Sequence, residues 1–117
     1  MKQIPESLLN TFRKYDTPTI VNSLELLDSK FRTSCFTTEQ MICVDTTLPP
    51  IVGYARTATI SASSEVDPNT KRDRSLAYYE YVSSGTAPCI SVIQDVDESP
   101  GFGAFWGEVN SNIHNAL

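Results

Sequence analysis

A strand pattern, a helix pattern and a second strand pattern follow one another along the chain, and few folds accommodate that order. The stretch IVGYARTATISAS alternates between two faces from Val52 to Ser61 and is rich in β-branched residues, which is typical of a strand. A second strand is predicted over Pro88 to Asp95, where a nearly continuous apolar run indicates burial on both faces. This order predicts an α/β or α+β alternation with strand–helix–strand units.

Four further segments carry helix signals, and one carries a weak strand signal. The helices are predicted over Pro5–Arg13, from Asp16 or Thr17 to about Leu27, from Asn69 or Thr70 to about Ser84, and from Gly107 onward. Gly85 is placed to stop the third of these helices. A short strand is expected near Met41 to Val44, before the Pro49-Pro50 pair.

Composition bounds the class of protein. With 117 residues the chain forms one small domain, and no stretch approaches the apolar length of a membrane span. The formal net charge is -5, and the basic residues cluster only in KRDR, Lys71 to Arg74, which we interpret as a solvated turn of a helix. This distribution argues against a nucleic-acid surface. The N-terminus has no apolar core of the kind that a secretory signal needs, so a cytoplasmic protein is expected.

Two roles are open for the cysteines and the histidine, one catalytic and one structural. Cys35, Cys43 and Cys89 are an odd number at wide spacing, as expected of reduced thiols, and His114 is the one histidine. A zinc site built from these residue types is therefore not expected. A cysteine nucleophile could pair with His114, but we favour buried cysteines that act as small hydrophobes and a histidine that faces solvent.

The most site-like region is the Gly-rich connection between the second strand and the last helix. An acidic strand end, QDVDE, leads through SPGFGAFWG to the helix start GEVN. Helix N-termini after such loops bind anions, because their first N–H groups lack partners within the helix. We therefore expect the backbone N–H groups near Glu108, Val109 and Asn110 to meet a ligand carboxylate or phosphate. Glu108 is the candidate to hold a proton or a water molecule.

Each of these assignments has a simpler alternative. A glutamate in a first helical turn is often only a partner for the helix dipole, and acidic residues at a strand end, here Asp95 and Asp97, are often merely solvated. The connection also lacks the spacing of nucleotide-binding glycine motifs.

Four segments together resemble the N-terminal part of the RraA-like family, which includes regulators of ribonuclease E and aldolases acting on 4-hydroxy-4-methyl-2-oxoglutarate. TPTIVNSL (Thr17–Leu24) is similar to a T-x-x-(V/I)-x-D-A-L helix, although Asn22 and Ser23 replace the usual Asp and Ala. IVGYARTATI is similar to a (V/I)-G-x-A-x-T strand, CISVIQDVD to a buried strand that ends in Asp, and GAFWGEVNSNIHNAL to a G-(D/E) helix start. The order and spacing of the four also agree.

The resemblance implies a layered α/β/β/α domain of the swivelling type, of which residues 1–117 would be a single incomplete domain covering about the first half. It implies a divalent metal, Mg²⁺ or Mn²⁺, a pyruvate-like or other small 2-oxoacid ligand, and homotrimers. It assigns Glu108 a catalytic role through metal-bound water, and Gly107, Val109 and Asn110 the binding of the substrate carboxylate. The family's G-x-x-R-D motif, which binds the oxoacid and the metal, is missing from the sequence.

Two functions are therefore weighed. The first is a fragment of a metal-dependent lyase, either an aldolase or an oxaloacetate decarboxylase, that is inactive as this chain. The second is a non-catalytic protein-binding regulator of the ribonuclease E inhibitor type. The uncapped apolar stripe of Val109, Ile113 and Leu117 is expected to lack packing partners in either case.

Overall fold

A computed structural model describes residues 3–34 and 36–117. The chain divides into two compact units, Met1–Val52 and Gly53–Leu117. The single domain expected from the chain length stays a prediction.

The first unit is helical. Its elements are helix α1 (Glu6–Phe12), helix α2 (Thr17–Leu27) and a 3-10 turn (Ser29–Arg32). The Asp16 carboxylate accepts a hydrogen bond from the Thr19 N–H at 2.9 Å and so caps α2, as predicted. Leu9 is the buried apolar side chain of α1.

The prediction of a strand at Met41–Val44 is wrong. Residues 36–51 form no helix or strand, and their side chains are exposed. A short apolar run becomes a strand only when a neighbouring strand satisfies its backbone groups, and the sequence pattern alone does not supply that neighbour.

The second unit contains a mixed α/β arrangement. Strand β1 (Tyr54–Ile60) leads through helix α3 (Pro68–Ser83) to strand β2 (Cys89–Asp95), and helix α4 (Glu108–Ala116) follows. The two strands pair in parallel, with Tyr54 opposite Cys89 and Ile60 opposite Asp95. Both strands and the last helix thus lie where the sequence predicted them.

Burial follows the faces of this small sheet. On β1 the alternate residues Tyr54, Arg56, Ala58 and Ile60 are half-buried. Val82 of α3 is buried, whereas Val92 of β2 is 47% exposed. The prediction that β2 is buried on both faces, which was based on its apolar run, is therefore wrong.

Helix α3 begins earlier than predicted. Its N-cap is Asp67, whose carboxylate accepts hydrogen bonds from the N–H groups of Asn69 and Thr70 at 3.1 and 3.0 Å. Pro68 then takes the first helical position, where its missing N–H costs nothing. Asn69 and Thr70 are thus inside the helix and are not its cap.

The end of α3 depends on Gly85 for a reason other than the one predicted. Gly101 is the glycine with a positive φ in the described chain, so Gly85 does not end the helix in a left-handed conformation. A Cβ on Gly85 would instead lie 2.6 Å from the Cys89 Sγ. The glycine therefore lets the chain turn closely past the start of β2.

Candidate functional site

The start of α4 is open. Gly107 is its N-cap, with extended backbone (φ -168°, ψ -174°), and no side chain caps the first turn. A Cβ placed on Gly107 would meet nothing within 4 Å. Glu108 is exposed and Val109 is 72% exposed. An anion can therefore approach the first N–H groups of the helix without displacing a side chain.

Asn110 differs from the other predicted site residues because its side chain is fully engaged. Its Oδ1 accepts a hydrogen bond from the Tyr79 hydroxyl at 2.6 Å, and its Nδ2 donates to the Phe105 carbonyl oxygen at 2.6 Å. The side chain is half-buried and ties α4 to α3 and to the preceding connection. For the predicted ligand role only the backbone N–H of Asn110 is then relevant.

His114 does not face solvent as predicted; it is half-buried. Its Nδ1 lies 2.6 Å from the Asn110 carbonyl oxygen, which can only accept, so Nδ1 carries the proton. In the neutral ring Nε2 then accepts a hydrogen bond from the Tyr78 hydroxyl at 2.8 Å. Both ring nitrogens are thus occupied.

An aromatic cluster surrounds this histidine and explains its burial. Its ring centroid is 4.7 Å from that of Trp106, 5.6 Å from Tyr78, 6.0 Å from Tyr79 and 6.1 Å from Phe105. The sequence patterns did not predict this cluster. The sequence does contain a signal that could have indicated it. Two pairs of adjacent aromatic residues, Tyr78-Tyr79 in α3 and Phe105-Trp106 just before α4, lie in segments that pack together.

The cysteines also differ from the prediction. Cys43 and Cys89 are exposed free thiols, and Cys35 lies outside the described residues. The Cys43 and Cys89 Sγ atoms contact the carbonyl oxygens of Asp45 and Thr86. Since both nitrogens of His114 bind other groups, the described residues form no cysteine–histidine pair of the kind that activates a thiol.

The acidic residues at the end of β2 bind backbone groups. Asp97 is buried, and it accepts hydrogen bonds from the Ser61 hydroxyl, the Ser63 hydroxyl (2.6 Å) and the Ala62 N–H (2.8 Å). These bonds, those from Ser61 and Ser63 first, lower the pKa of Asp97 from 3.8 to about 2. The carboxylate thus joins the end of β1 to the end of β2.

Asp95, two residues earlier at the end of β2, has a similar role. Its two carboxylate oxygens accept hydrogen bonds from the N–H groups of Asp97 (3.0 Å) and Gly101 (2.7 Å). Gly101 has φ +85°, a conformation that favours glycine. Asp95 therefore shapes the connection that leads to α4, and neither strand-end acid is simply solvated.

The described residues contain no preformed cluster of protein ligands for a divalent metal ion. No three His, Cys, Asp or Glu side chains come together in residues 3–34 and 36–117. Glu108 offers one exposed carboxylate, and Mg²⁺ held by so few protein ligands depends on water and substrate for the rest of its oxygen ligands. We derive no chemical step through a metal from these residues.

None of the helices in the described part of the chain is both long and apolar enough to cross a lipid bilayer. Comparison of the chain with models of known protein families, with curated proteins and with solved structures gave no match.

Proposed function

We propose that this chain is the N-terminal half of an RraA-like layered domain and that it binds the carboxylate of a small 2-oxoacid at the start of α4. The observation that carries the proposal is the open first turn behind Gly107, which no side chain caps. The four segments that resemble the family also support the proposal. The family's pattern is helix, strand, strand and helix in that order, and the four segments lie in α2, β1, β2 and α4.

The chemistry of the turn suits a carboxylate. The N–H groups of Glu108, Val109 and Asn110 would donate to its oxygens, and the positive end of the helix dipole adds attraction. The hydrogen bonds of the Asn110 side chain to Tyr79 and Phe105 hold this turn in place before any ligand arrives. Glu108, on the exposed side of the turn, is the group that would hold a proton beside the ligand.

Turnover is not part of the proposal. Cleavage of an oxoacid needs positive charge beside the developing enolate, and the loss of one such donor alone costs about 10²–10³ in rate. The arginine and the direct metal ligand that the family uses have no counterpart in this sequence. We expect oxalate or pyruvate to bind weakly and no cleavage above the rate of the free metal ion.

The test combines binding with an activity assay. Oxalate is titrated into the ¹⁵N-labelled protein, and shifts confined to the amides of Glu108, Val109 and Asn110 are expected. Gly107→Asp would place a carboxylate in the capping position, where it competes for the same N–H groups and abolishes the shifts. Ser99→Asp adds the same charge to the exposed connection and should leave them intact.

The activity arm follows oxaloacetate decarboxylation with Mg²⁺ or Mn²⁺, beside Glu108→Ala. Turnover above the metal-only rate that this substitution abolishes would show a complete catalytic site and contradict the proposal. Oxalate shifts that persist in Gly107→Asp would place the ligand elsewhere on the chain.

The protein-binding regulator remains a second candidate because of the apolar surface of residues 36–51. The exposed side chains there are Phe36 (64%), Met41 (79%), Ile42 (81%), Val44 (101%), Leu48 (66%) and Ile51 (75%). A contiguous patch of exposed apolar side chains commonly marks a protein contact, whereas singly exposed ones are ordinary, and here six occur within sixteen residues. This candidate predicts that the chain inhibits ribonuclease E in a purified assay, that Ile42→Ser weakens the inhibition and that Gly107→Asp does not.

The cellular compartment is part of the same proposal. Cys43 and Cys89 are exposed free thiols, which persist in a reducing compartment such as the cytoplasm. We propose the cytoplasm for this chain on that basis.

A further inference from the structure

The short loop after β1 surrounds a carboxylate. The hydroxyl groups of Ser61 and Ser63 donate to the Asp97 carboxylate, the second of them at 2.6 Å. The backbone N–H groups of Ala62 and Ser63 donate to the same carboxylate at 2.8 and 3.2 Å. Successive backbone N–H groups that converge in this way form an anion-binding concavity, or nest. We call residues 61–63 the nest, and Asp97 is its occupant.

The nest holds its anion with neutral donors. No lysine or arginine in the described part of the chain forms an ion pair with Asp97, although the residue is buried. The hydrogen bonds from Ser61 and Ser63 are the main cause of the lowered pKa of Asp97, so these donors favour the charged form of a carboxyl group. The nest is therefore arranged to bind a carboxylate anion, whichever molecule supplies it.

The position of the nest is one where α/β sheets bind ligands. β1 and β2 run parallel and end at Ile60 and Asp95, so the nest follows the carboxyl end of β1 and Asp97 follows that of β2. Ligands of open α/β sheets bind outside the carboxyl ends of the strands. The connection to α4 lies against the nest, because a Cβ on Gly103 would overlap the Ala62 Cβ.

We propose that the nest is a carboxylate-binding site and that Asp97 is its autoinhibitory ligand, which an external carboxylate must displace. Asp97 in the nest ties the connection to the end of β1. Residues 96–107 form no helix or strand, so the connection can move away from the nest without breaking either kind of element. The inference does not depend on the proposed ligand at α4.

The internal ligand sets how tightly an external one binds. A carboxylate can enter only the fraction of molecules in which Asp97 has left the nest, and the apparent affinity is reduced by that fraction. Removal of the Asp97 carboxylate leaves the nest vacant in every molecule. The apparent dissociation constant for a small carboxylate should therefore be at least about tenfold lower in Asp97→Ala than in the unchanged chain.

Formate is the probe, because it replaces the carboxylate that Asp97→Ala removes. Formate is titrated into the ¹⁵N-labelled variant at constant ionic strength, with chloride as the balancing anion. Saturable shifts of the Ala62 and Ser63 amides are expected, together with a rise in Tm. Glu98→Ala removes the same charge from an exposed neighbouring position and should respond like the unchanged chain. Ser63→Ala, added to Asp97→Ala, removes one donor and should weaken the binding of formate.

Rescue by formate tests the nest if Asp97→Ala does not fold alone. Circular dichroism then follows the variant, and formate but not chloride should restore the spectrum of the unchanged chain. Asp97→Asn is the second variant, because its neutral amide is a weaker acceptor than a carboxylate. Formate should shift the Ala62 and Ser63 amides of this variant at lower concentrations than in the unchanged chain.

Four results would overturn the proposal. The first is a folded Asp97→Ala whose Ala62 and Ser63 amides do not respond to formate. The second is an equal response to formate and chloride. The third is equal formate binding by Asp97→Ala and the unchanged chain, and the fourth is an unfolded Asp97→Ala that formate does not rescue. Shifts at Glu108 to Asn110 are read separately, so failure at the nest is distinguishable from failure at α4.

Discussion

Removal of the Tyr79 hydroxyl measures how firmly α4 is held on α3. This hydroxyl donates at 2.6 Å to the Oδ1 of Asn110, in a half-buried environment. A neutral hydrogen bond contributes about 0.5–1.5 kcal/mol, and an acceptor left without a donor adds to the loss. Since water can partly replace the hydroxyl at a half-buried site, we expect Tyr79→Phe to destabilise the second unit by about 1 kcal/mol. For a domain of this size that lowers the Tm by roughly 4–8 °C.

Tyr81→Phe in the same helix is the matched control. Its ring packs beneath Arg56, and its hydroxyl makes no hydrogen bond within the part of the chain that the structure describes. Thermal unfolding followed by circular dichroism should give a lower Tm for Tyr79→Phe than for Tyr81→Phe. Hydrogen exchange should show that Tyr79→Phe, and not Tyr81→Phe, accelerates amide exchange in α4 more than in β1. Equal Tm values for both variants, or unchanged exchange in α4, would refute the anchoring role of Tyr79.

Two further predictions concern the strand ends. Because the folded state holds the pKa of Asp97 at about 2 instead of 3.8, its contribution to stability is complete only above about pH 5 and is lost as the pH falls through 3.8 toward 2. Urea unfolding at several pH values should show this loss, and Asp97→Asn should flatten it. Gly103→Ala should destabilise the fold, since its Cβ would lie 2.3 Å from the Ala62 Cβ. Gly107→Ala meets no atom and should cost less, at most about 1 kcal/mol for the replacement of a glycine N-cap by alanine. Equal melting temperatures for the two alanine variants would contradict the predicted clash.

The elements with strong local signals were predictable from the sequence. β1 combines strict alternation with β-branched residues, and α2 combines a capping aspartate with an early proline, so their short-range chemistry specifies them. The start of α4 at Gly107 was predictable for the same reason. In each of these elements the local pattern and the final structure agree.

The features that depend on distant partners were not predictable. Whether residues 41–44 pair as a strand depends on a neighbour that no local pattern reveals. The same holds for His114, whose burial is decided by Tyr78 and Tyr79 some 36 residues earlier in the chain. From the sequence alone a solvated Asp97 is an open alternative, because the sequence does not show that Ser61 and Ser63 come to meet it.

The hydrogen bond from Ser61 to Asp97 also has a consequence for folding kinetics. It joins groups 36 residues apart, and it can form only after β1, α3 and β2 have come together. The chain loses the entropy of closing that long loop before the bond can return any energy. Contacts with such large sequence separation slow folding. The strand ends of this unit therefore belong to the slow, non-local part of its folding, in contrast to α3, whose capping and hydrogen bonds are local.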